Sequence, residues 1–299
     1  MSSGGLARPT GMTEPKTYSL DVPGAVLQYD IRASDTSTEP PLLLIGSPMG
    51  AGGFVTLAGH FPDRTVVTYD PRGAWRSERT DGADQTTPDE HADDLHRIIT
   101  ALDAGPADIF ASSGGAMNAL ALVAKHPEHV RTLVAHEPPA AQQLPDREAI
   151  LAACEDIRET YLRSGFGPAM AKFIALVSYS GPLPSDYAEE PAPDPAMFGL
   201  PTEDDGSRDD PLVGQNILTC IAYQHDFDVL RAVPTRIVIG VGAQSGAILP
   251  GRAALAVAER LGTQPVIFPG GHDGFLGGEF GSTGEPDAFA ATLRTVLAG

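Results

Sequence analysis

Residues 107–117 read Ala-Asp-Ile-Phe-Ala-Ser-Ser-Gly-Gly-Ala-Met, an apolar run that ends in two serines and two glycines before an alanine- and leucine-rich stretch. The apolar run predicts a buried strand over 107–112, and the alanine- and leucine-rich stretch predicts a helix over 114–126. A serine held on the sharp turn between such elements needs small residues two positions before and after it, because larger side chains would collide across the turn. For Ser113 those positions hold Ala111 and Gly115, so Ser113 is a candidate nucleophile. For Ser112 they would hold Phe110 and Gly114, and a phenylalanine does not fit; Ser112 is read as shaping the turn. Taken alone the segment also reads as a Ser/Gly-rich helix cap, so its context must decide.

Short apolar runs and amphipathic stretches alternate along most of the chain. Strands are predicted near 17–21, 25–33, 41–46, 65–70, 107–112, 130–136, 235–241 and 264–268. The first two form a hairpin across Pro23-Gly24; from Leu42 onward the runs are continuously apolar, as in a parallel sheet covered on both faces. Helices are predicted near 88–104, 114–126, 250–262 and 286–298, with Thr87 before Pro88 and Glu90 as an N-cap. Residues 138–220 break the rhythm with helical stretches near 145–164 and 166–178, then a passage rich in Pro, Asp and Glu from Pro182 to Pro211. They read as a cap inserted over the carboxyl edge of a core made of 13–137 and 221–299, the helical pattern resuming at 212–231. Residues 1–12 read as a disordered leader or an expression remnant, with Met12 a possible alternative start.

The 299 residues carry a formal charge of −19, which would repel phosphate backbones and anionic headgroups. Nucleic acid and membrane surfaces are therefore not expected partners. Cys154 and Cys220 lack CxxC or CxH spacing, so neither a disulfide framework nor a zinc site is expected from them. No apolar run reaches the roughly 18 residues of a membrane span and the N-terminus lacks a secretory core. The expectation is a soluble, cytoplasmic monomer or homodimer with no cofactor and no metal.

Three further stretches accompany the serine turn. Leu42-Leu43-Leu44-Ile45-Gly46-Ser47-Pro48-Met49-Gly50 is a strand running into a loop; Tyr69-Asp70-Pro71-Arg72-Gly73-Ala74-Trp75-Arg76-Ser77 is a turn after the next strand; Phe268-Pro269-Gly270-Gly271-His272-Asp273-Gly274-Phe275 comes after the last strand. In this order, with the serine turn between the second and third, they resemble the α/β-hydrolase superfamily in its serine-nucleophile branch. The resemblance implies a mostly parallel eight-stranded sheet flanked by helices with an inserted helical cap. Ala111 and Trp75 depart from the family pattern, each standing where glycine is usual.

The resemblance also implies roles. His272 would be the general base for Ser113, and the N–H groups of Ser47 and Gly114 would form the oxyanion hole; Pro48 has no N–H to offer. Asp70 and Arg72 would brace their loop. The family's usual acid comes after the strand over 235–241, where this chain has Gly242-Ala243-Gln244-Ser245-Gly246-Ala247 and no carboxylate. Glu137, which ends the strand over 130–136, is the candidate replacement, since some α/β-hydrolases carry their acid at that position. Asp226 and Asp228 are weaker candidates, Asp273 is too close in sequence to reach its neighbour's Nδ1, and Gln244 could not stabilise an imidazolium as a carboxylate does. His136 is placed to enter the pocket, and His126 and His129 flank Pro127 in a helix-ending surface turn. Met49, Trp75 and Phe173 are the candidate substrate contacts.

A serine at the turn excludes the aspartate chemistry of haloalkane dehalogenases and epoxide hydrolases of this fold. The expected reaction is hydrolysis of a small-molecule carboxylic ester or lactone through an acyl-enzyme. The alternatives are a homologue that binds a ligand or partner without hydrolysing it, and a cofactor-free oxygenase or perhydrolase on the same scaffold.

Overall fold

At Pro23-Gly24 the chain reverses between strands β1 (Lys16–Val22) and β2 (Ala25–Arg32), glycine supplying φ +78°. The computed structural model describes residues 14–299, so the leader expected at 1–12 lies outside the described residues. In chain order there come next β3 (Leu42–Ile45), α1 (Val55–Gly59), β4 (Val66–Asp70), β5 (Glu78–Arg79), α2 (Pro88–Leu102), β6 (Ala107–Ser112), α3 (Gly114–Lys125) and β7 (Val130–His136). Then come α4 (Arg147–Ser164), α5 (Phe166–Ser178), α6 (Ile217–Ile221), α7 (Phe227–Ala232), β8 (Arg236–Gly242), α8 (Leu249–Leu261), β9 (Val266–Phe268) and α9 (Pro286–Ala298).

The sheet order is β1-β2-β4-β3-β6-β7-β8-β9, with β5 added beside β2. The pairs β1–β2, β2–β4 and β2–β5 are antiparallel, and every pair from β4–β3 to β8–β9 is parallel. All eight expected strands are present; the two-residue β5 and five-residue α1 are too short for periodicity to reveal. Alternation within β3 shows why its sequence is apolar throughout: Leu43 and Ile45 enter one core layer, Leu42 and Leu44 the other. Thr87 and Glu90 close a reciprocal capping box at α2, the Glu90 N–H donating to Thr87 Oγ1 (3.2 Å) and the Thr87 N–H to Glu90 Oε2 (2.9 Å).

The single helix expected over 212–231 is three pieces: a π-helical turn at Pro211–Asn216, α6 and α7. Asp210 caps the first by accepting from the N–H groups of Leu212 and Val213, and Asp226 starts a new helix by accepting from Asp228 and Val229. Each carboxylate satisfies the orphan amides of a separate helix start, which the apolar spacing alone does not register. The segment between β7 and β8 builds its own apolar cluster around Ile150, Ile157, Tyr161 and Val213, closed against Leu249 and Ala253 of α8.

Three histidines are buried in the fold: His91 on α2, His136 at the end of β7 and His225 before α7. Burial pushes His91 down to about 3 and His136 and His225 each down to about 4. Neutral in the fold, they protonate near pH 6.5 once unfolded, so the unfolded state binds more protons in the window between. Their stabilisation is complete above the unfolded pKa and is lost as pH falls. Between pH 7 and pH 5 the loss is expected to be up to roughly 2 kcal/mol per histidine. Urea unfolding at the two pH values measures it; an unchanged midpoint would show that these rings are not held neutral.

Candidate active site

Ser113 stands alone between the last residue of β6 and the first of α3, at φ 57° and ψ −128°. An L-residue avoids that conformation, which costs on the order of 1–3 kcal/mol and persists only where the surroundings over-determine it. Here the Ser113 N–H donates to the carbonyl of His136 at 2.9 Å, tying the turn to the end of β7. The small residues answer to close packing: a Cβ on Gly115 would lie 2.7 Å from the Ile45 carbonyl oxygen, and one on Gly114 would lie 2.5 Å from that of Ser47. Ser47 and Gly114 are thereby neighbours. The Gly114 N–H opens α3, where the first amides have no intrahelical acceptor.

Glu137 comes directly after β7, is fully buried, and has φ 49°. Its N–H donates to the Gly240 carbonyl (3.0 Å), its Oε1 accepts from the Gly242 N–H (2.8 Å), and its Oε2 lies 2.6 Å from His272 Nδ1. Burial, the largest single influence, pushes the carboxyl up, but the hydrogen bond from His272 and the other neighbouring imidazole and hydroxyl groups together outweigh it and hold Glu137 at about 2. The His272 side chain is 35 % exposed, so its outer edge reaches solvent while its inner edge is held. His136, Glu137 and His272 offer ligand atoms within 4.8 Å of one another. Glu137 and His272 are already joined, an arrangement suited to orienting a ring.

The other carboxylates are engaged elsewhere. Asp226 caps α7, Asp228 pairs with Arg231, and Asp273 accepts from the Ser282 hydroxyl. Gln244 donates to Glu285 (3.0 Å). Ser112 Oγ is 3.4 Å from His136 Nδ1. His136 is walled by the rings of Phe110, Phe268, Phe275 and Phe289, with His272 6.2 Å away between ring centroids, so it is a buried neighbour of the site. Asp70 accepts from the Ala51 N–H (2.8 Å) and pairs with Arg76 Nε (2.5 Å), while Arg72 grips Asp94 through two 2.7 Å bonds. Asp70 thus braces the loop after β3, and Arg72 ties its own loop to α2.

Trp75 is 64 % exposed; its Nε1 donates to the Pro48 carbonyl (2.8 Å) and its ring lies 5.8 Å from that of Phe280. A Cβ on Gly53 would meet Met49 Sδ at 2.3 Å and Phe280 at 3.1 Å, so Met49, Trp75 and Phe280 border one rim. A cavity of about 460 Å³ lies between Gly73, Ala74 and Trp75 and the segment after β7, lined also by Phe166 and the carboxylates Glu203, Asp205, Asp209 and Asp210; Ser113, Glu137 and His272 are not among its lining residues. Phe166 lines this cavity, and both Phe166 and Phe173 pack on the apolar cluster of their own segment. Sequence reading missed Phe280 and Asn216. The Asn216 Nδ2 donates to Ser47 Oγ at 2.9 Å across a separation of 169 residues, which no local pattern could signal.

This chain matches the model of the alpha/beta hydrolase fold over residues 40–277. The chain belongs to the alpha/beta hydrolase fold family. It is 32 % identical over 265 residues to the uncharacterized hydrolase YraK of Bacillus subtilis (strain 168), an alignment covering 86 % of this chain and 89 % of that protein. A thermophilic esterase from Thermogutta terrifontis superposes with a TM-score of 0.64 at 20 % identity, over 96 % of this chain and 98 % of the esterase. The enol-lactonase from Burkholderia xenovorans LB400 does so with a TM-score of 0.64 at 17 % identity, over 94 % of this chain and all of that one (100 %). At such identities the two superpositions establish the alpha/beta hydrolase fold. No helix among the described residues is long and apolar enough to cross a membrane.

The tight approach at the serine turn yields a test. Gly115→Ala places a methyl against rigid backbone and is expected to cost about 1–3 kcal/mol of stability. Denaturant unfolding checks this; an unshifted midpoint would show that the turn yields where the packing says it cannot.

Proposed function

We propose that the chain is a serine hydrolase that cleaves a small-molecule carboxylic ester or lactone through an acyl-enzyme. The observation that carries this reading is the 2.6 Å contact between the buried Glu137 carboxylate and His272 Nδ1, with a strained serine one residue beyond β6. With Nδ1 engaged, His272 Nε2 is the nitrogen free to act. In the proposed cycle Ser113 Oγ attacks the acyl carbon while His272 Nε2 takes its proton. The N–H groups of Ser47 and Gly114 hold the developing oxyanion. The bond to the leaving oxygen then breaks as the imidazolium returns the proton. Water repeats the sequence on the acyl-enzyme, releasing the acid and restoring Ser113.

Glu137 acts in this proposal by holding the ring in one tautomer and stabilising the imidazolium. Residues 138–220 serve as the cap, and Met49 and Trp75 border the entrance. Phe173 is the third candidate substrate contact, supplied by the cap. An ester or lactone is put first by analogy with the esterase and enol-lactonase that share this fold. The net charge of −19 disfavours a highly anionic substrate. A cytoplasmic monomer or homodimer working without a cofactor completes the proposal.

Two variants test it. Ser113→Ala is expected to abolish both hydrolysis of short-chain p-nitrophenyl esters and labelling by a fluorophosphonate. Glu137→Gln keeps an acceptor for the Gly242 N–H but presents an amide to His272, and is expected to lower kcat by about three to four orders of magnitude. An unaltered chain that neither labels nor turns over would replace this proposal with the non-hydrolytic one. Turnover that needs oxygen or peroxide would favour the oxygenase or perhydrolase reading, and a near-normal rate in Glu137→Gln would remove that residue from the triad.

A further inference from the structure

At the opposite edge of the sheet from Ser113, three histidines from three local structures converge. His96 lies on α2, His126 ends α3, and His129 closes the short 3-10 turn at Pro127–His129 that leads into β7. Each offers a ring nitrogen within 4.8 Å of those of the other two. His96 stacks on His126 with centroids 4.0 Å apart and meets His129 edge-on at 4.7 Å. All three are half-buried, and His96 Nδ1 is enclosed with no hydrogen-bond partner among the described residues. Glu128 Oε1 lies 3.4 Å from His126 Nδ1 and 3.8 Å from His129 Nε2. The nearby Lys125 is drawn away by Asp89 (2.9 Å) and Asp93 (3.5 Å), and Arg97 donates to the Asp93 carbonyl (3.0 Å).

We propose that His96, His126 and His129 form a binding site for a divalent transition metal ion, zinc in the first instance, with Glu128 orienting the His126 ring. Imidazole nitrogen is a preferred donor for zinc, copper and nickel. Tetrahedral zinc at about 2.0–2.1 Å from each nitrogen sets the donors about 3.4 Å apart, so the stacked rings of His96 and His126 would turn out of their stack to share the ion. A carboxylate beside a ligating ring supplies the hydrogen bond that fixes its tautomer. The net charge of −19 raises the local concentration of cations. The site is separate from the candidate triad, because β7 runs from Val130 to His136 and sets the two edges roughly 20 Å apart. An ion here would clamp α2, the end of α3 and the start of β7, stabilising the fold by mass action.

The full chain, stripped of metal with EDTA, is titrated with ZnCl2 by calorimetry and melted with and without zinc. Uptake of one ion per chain and a higher melting temperature in zinc are expected. His96→Ala and His129→Ala are each expected to weaken uptake by at least about tenfold. His272→Ala leaves zinc uptake at the three-histidine site unchanged. X-ray absorption of the zinc-loaded unaltered chain, which needs no variant to fold, is expected to show three imidazole ligands. No uptake by the stripped chain, uptake that survives both alanine variants, uptake lost in His272→Ala, or a spectrum with fewer than three imidazoles each overturns the proposal.

Discussion

A carboxylate removed entirely from water must have its oxygens met by donors, or it will not remain ionised. Glu137 is such a group, and the architecture around Ser113 depends on how that need is answered. Its two oxygens reach two different strand ends: Oε1 takes the N–H of Gly242, the last residue of β8, and Oε2 takes His272 in the loop after β9. Its own N–H is bound to Gly240. One side chain thus fastens three consecutive parallel strands at their carboxyl ends. The register Ser112–His136–Gly240 then sets Ser113, Glu137 and Val241 one step beyond a common row. The candidate nucleophile and acid owe their proximity to that row rather than to nearness in sequence.

Strain gathers at the same edge. Five non-glycine residues among those described have positive φ, and four of them, Trp75, Ser113, Glu137 and Phe280, border or form the candidate site. The fifth, Asp103, ends α2 in an ordinary left-handed cap. Strained residues are retained where surrounding contacts leave no alternative. Ser113 is trapped by its N–H bond to His136 and by close packing at Gly114 and Gly115, Glu137 by its bonds to β8 and its loop. The rigid double core supplies the restraint: apolar layers on both faces of β3, β6 and β7 leave little freedom at the strand ends.

Much of this was legible because it is local. The strand and helix at 107–125 declare themselves by apolar run and period, and the Thr87–Glu90 cap by its spacing. Glu137 could be selected because it ends a recognisable strand. What stayed hidden rests on long separations or on backbone groups. Asn216 reaches Ser47 from a π-helical turn, and the Gly242 N–H that shares the acid has no side chain to mark it. The division of 212–231 depended on two capping aspartates whose identity fits a surface helix equally well.

The missing acid after β8 has a physical reason in the same geometry. With the carboxylate on β7, the β8 loop must press close enough for its backbone to serve Glu137. A Cβ at Gly240 would come 2.9 Å from the Phe268 ring and 3.2 Å from His136, and one at Gly242 would come 2.7 Å from the Gly271 backbone beside His272. The Ala243 N–H donates to Phe268 (2.8 Å) and the Gln244 N–H to Gly270 (2.9 Å), zipping this loop onto the one that holds the histidine. A side chain as large as aspartate at position 242 would part the two loops and withdraw the amide that Glu137 Oε1 accepts. Gly240 and Gly242 are therefore the packing counterpart of Glu137: an acid on β7 and a bare backbone on β8 form one arrangement, and moving the carboxylate to Gly242 would require rebuilding both.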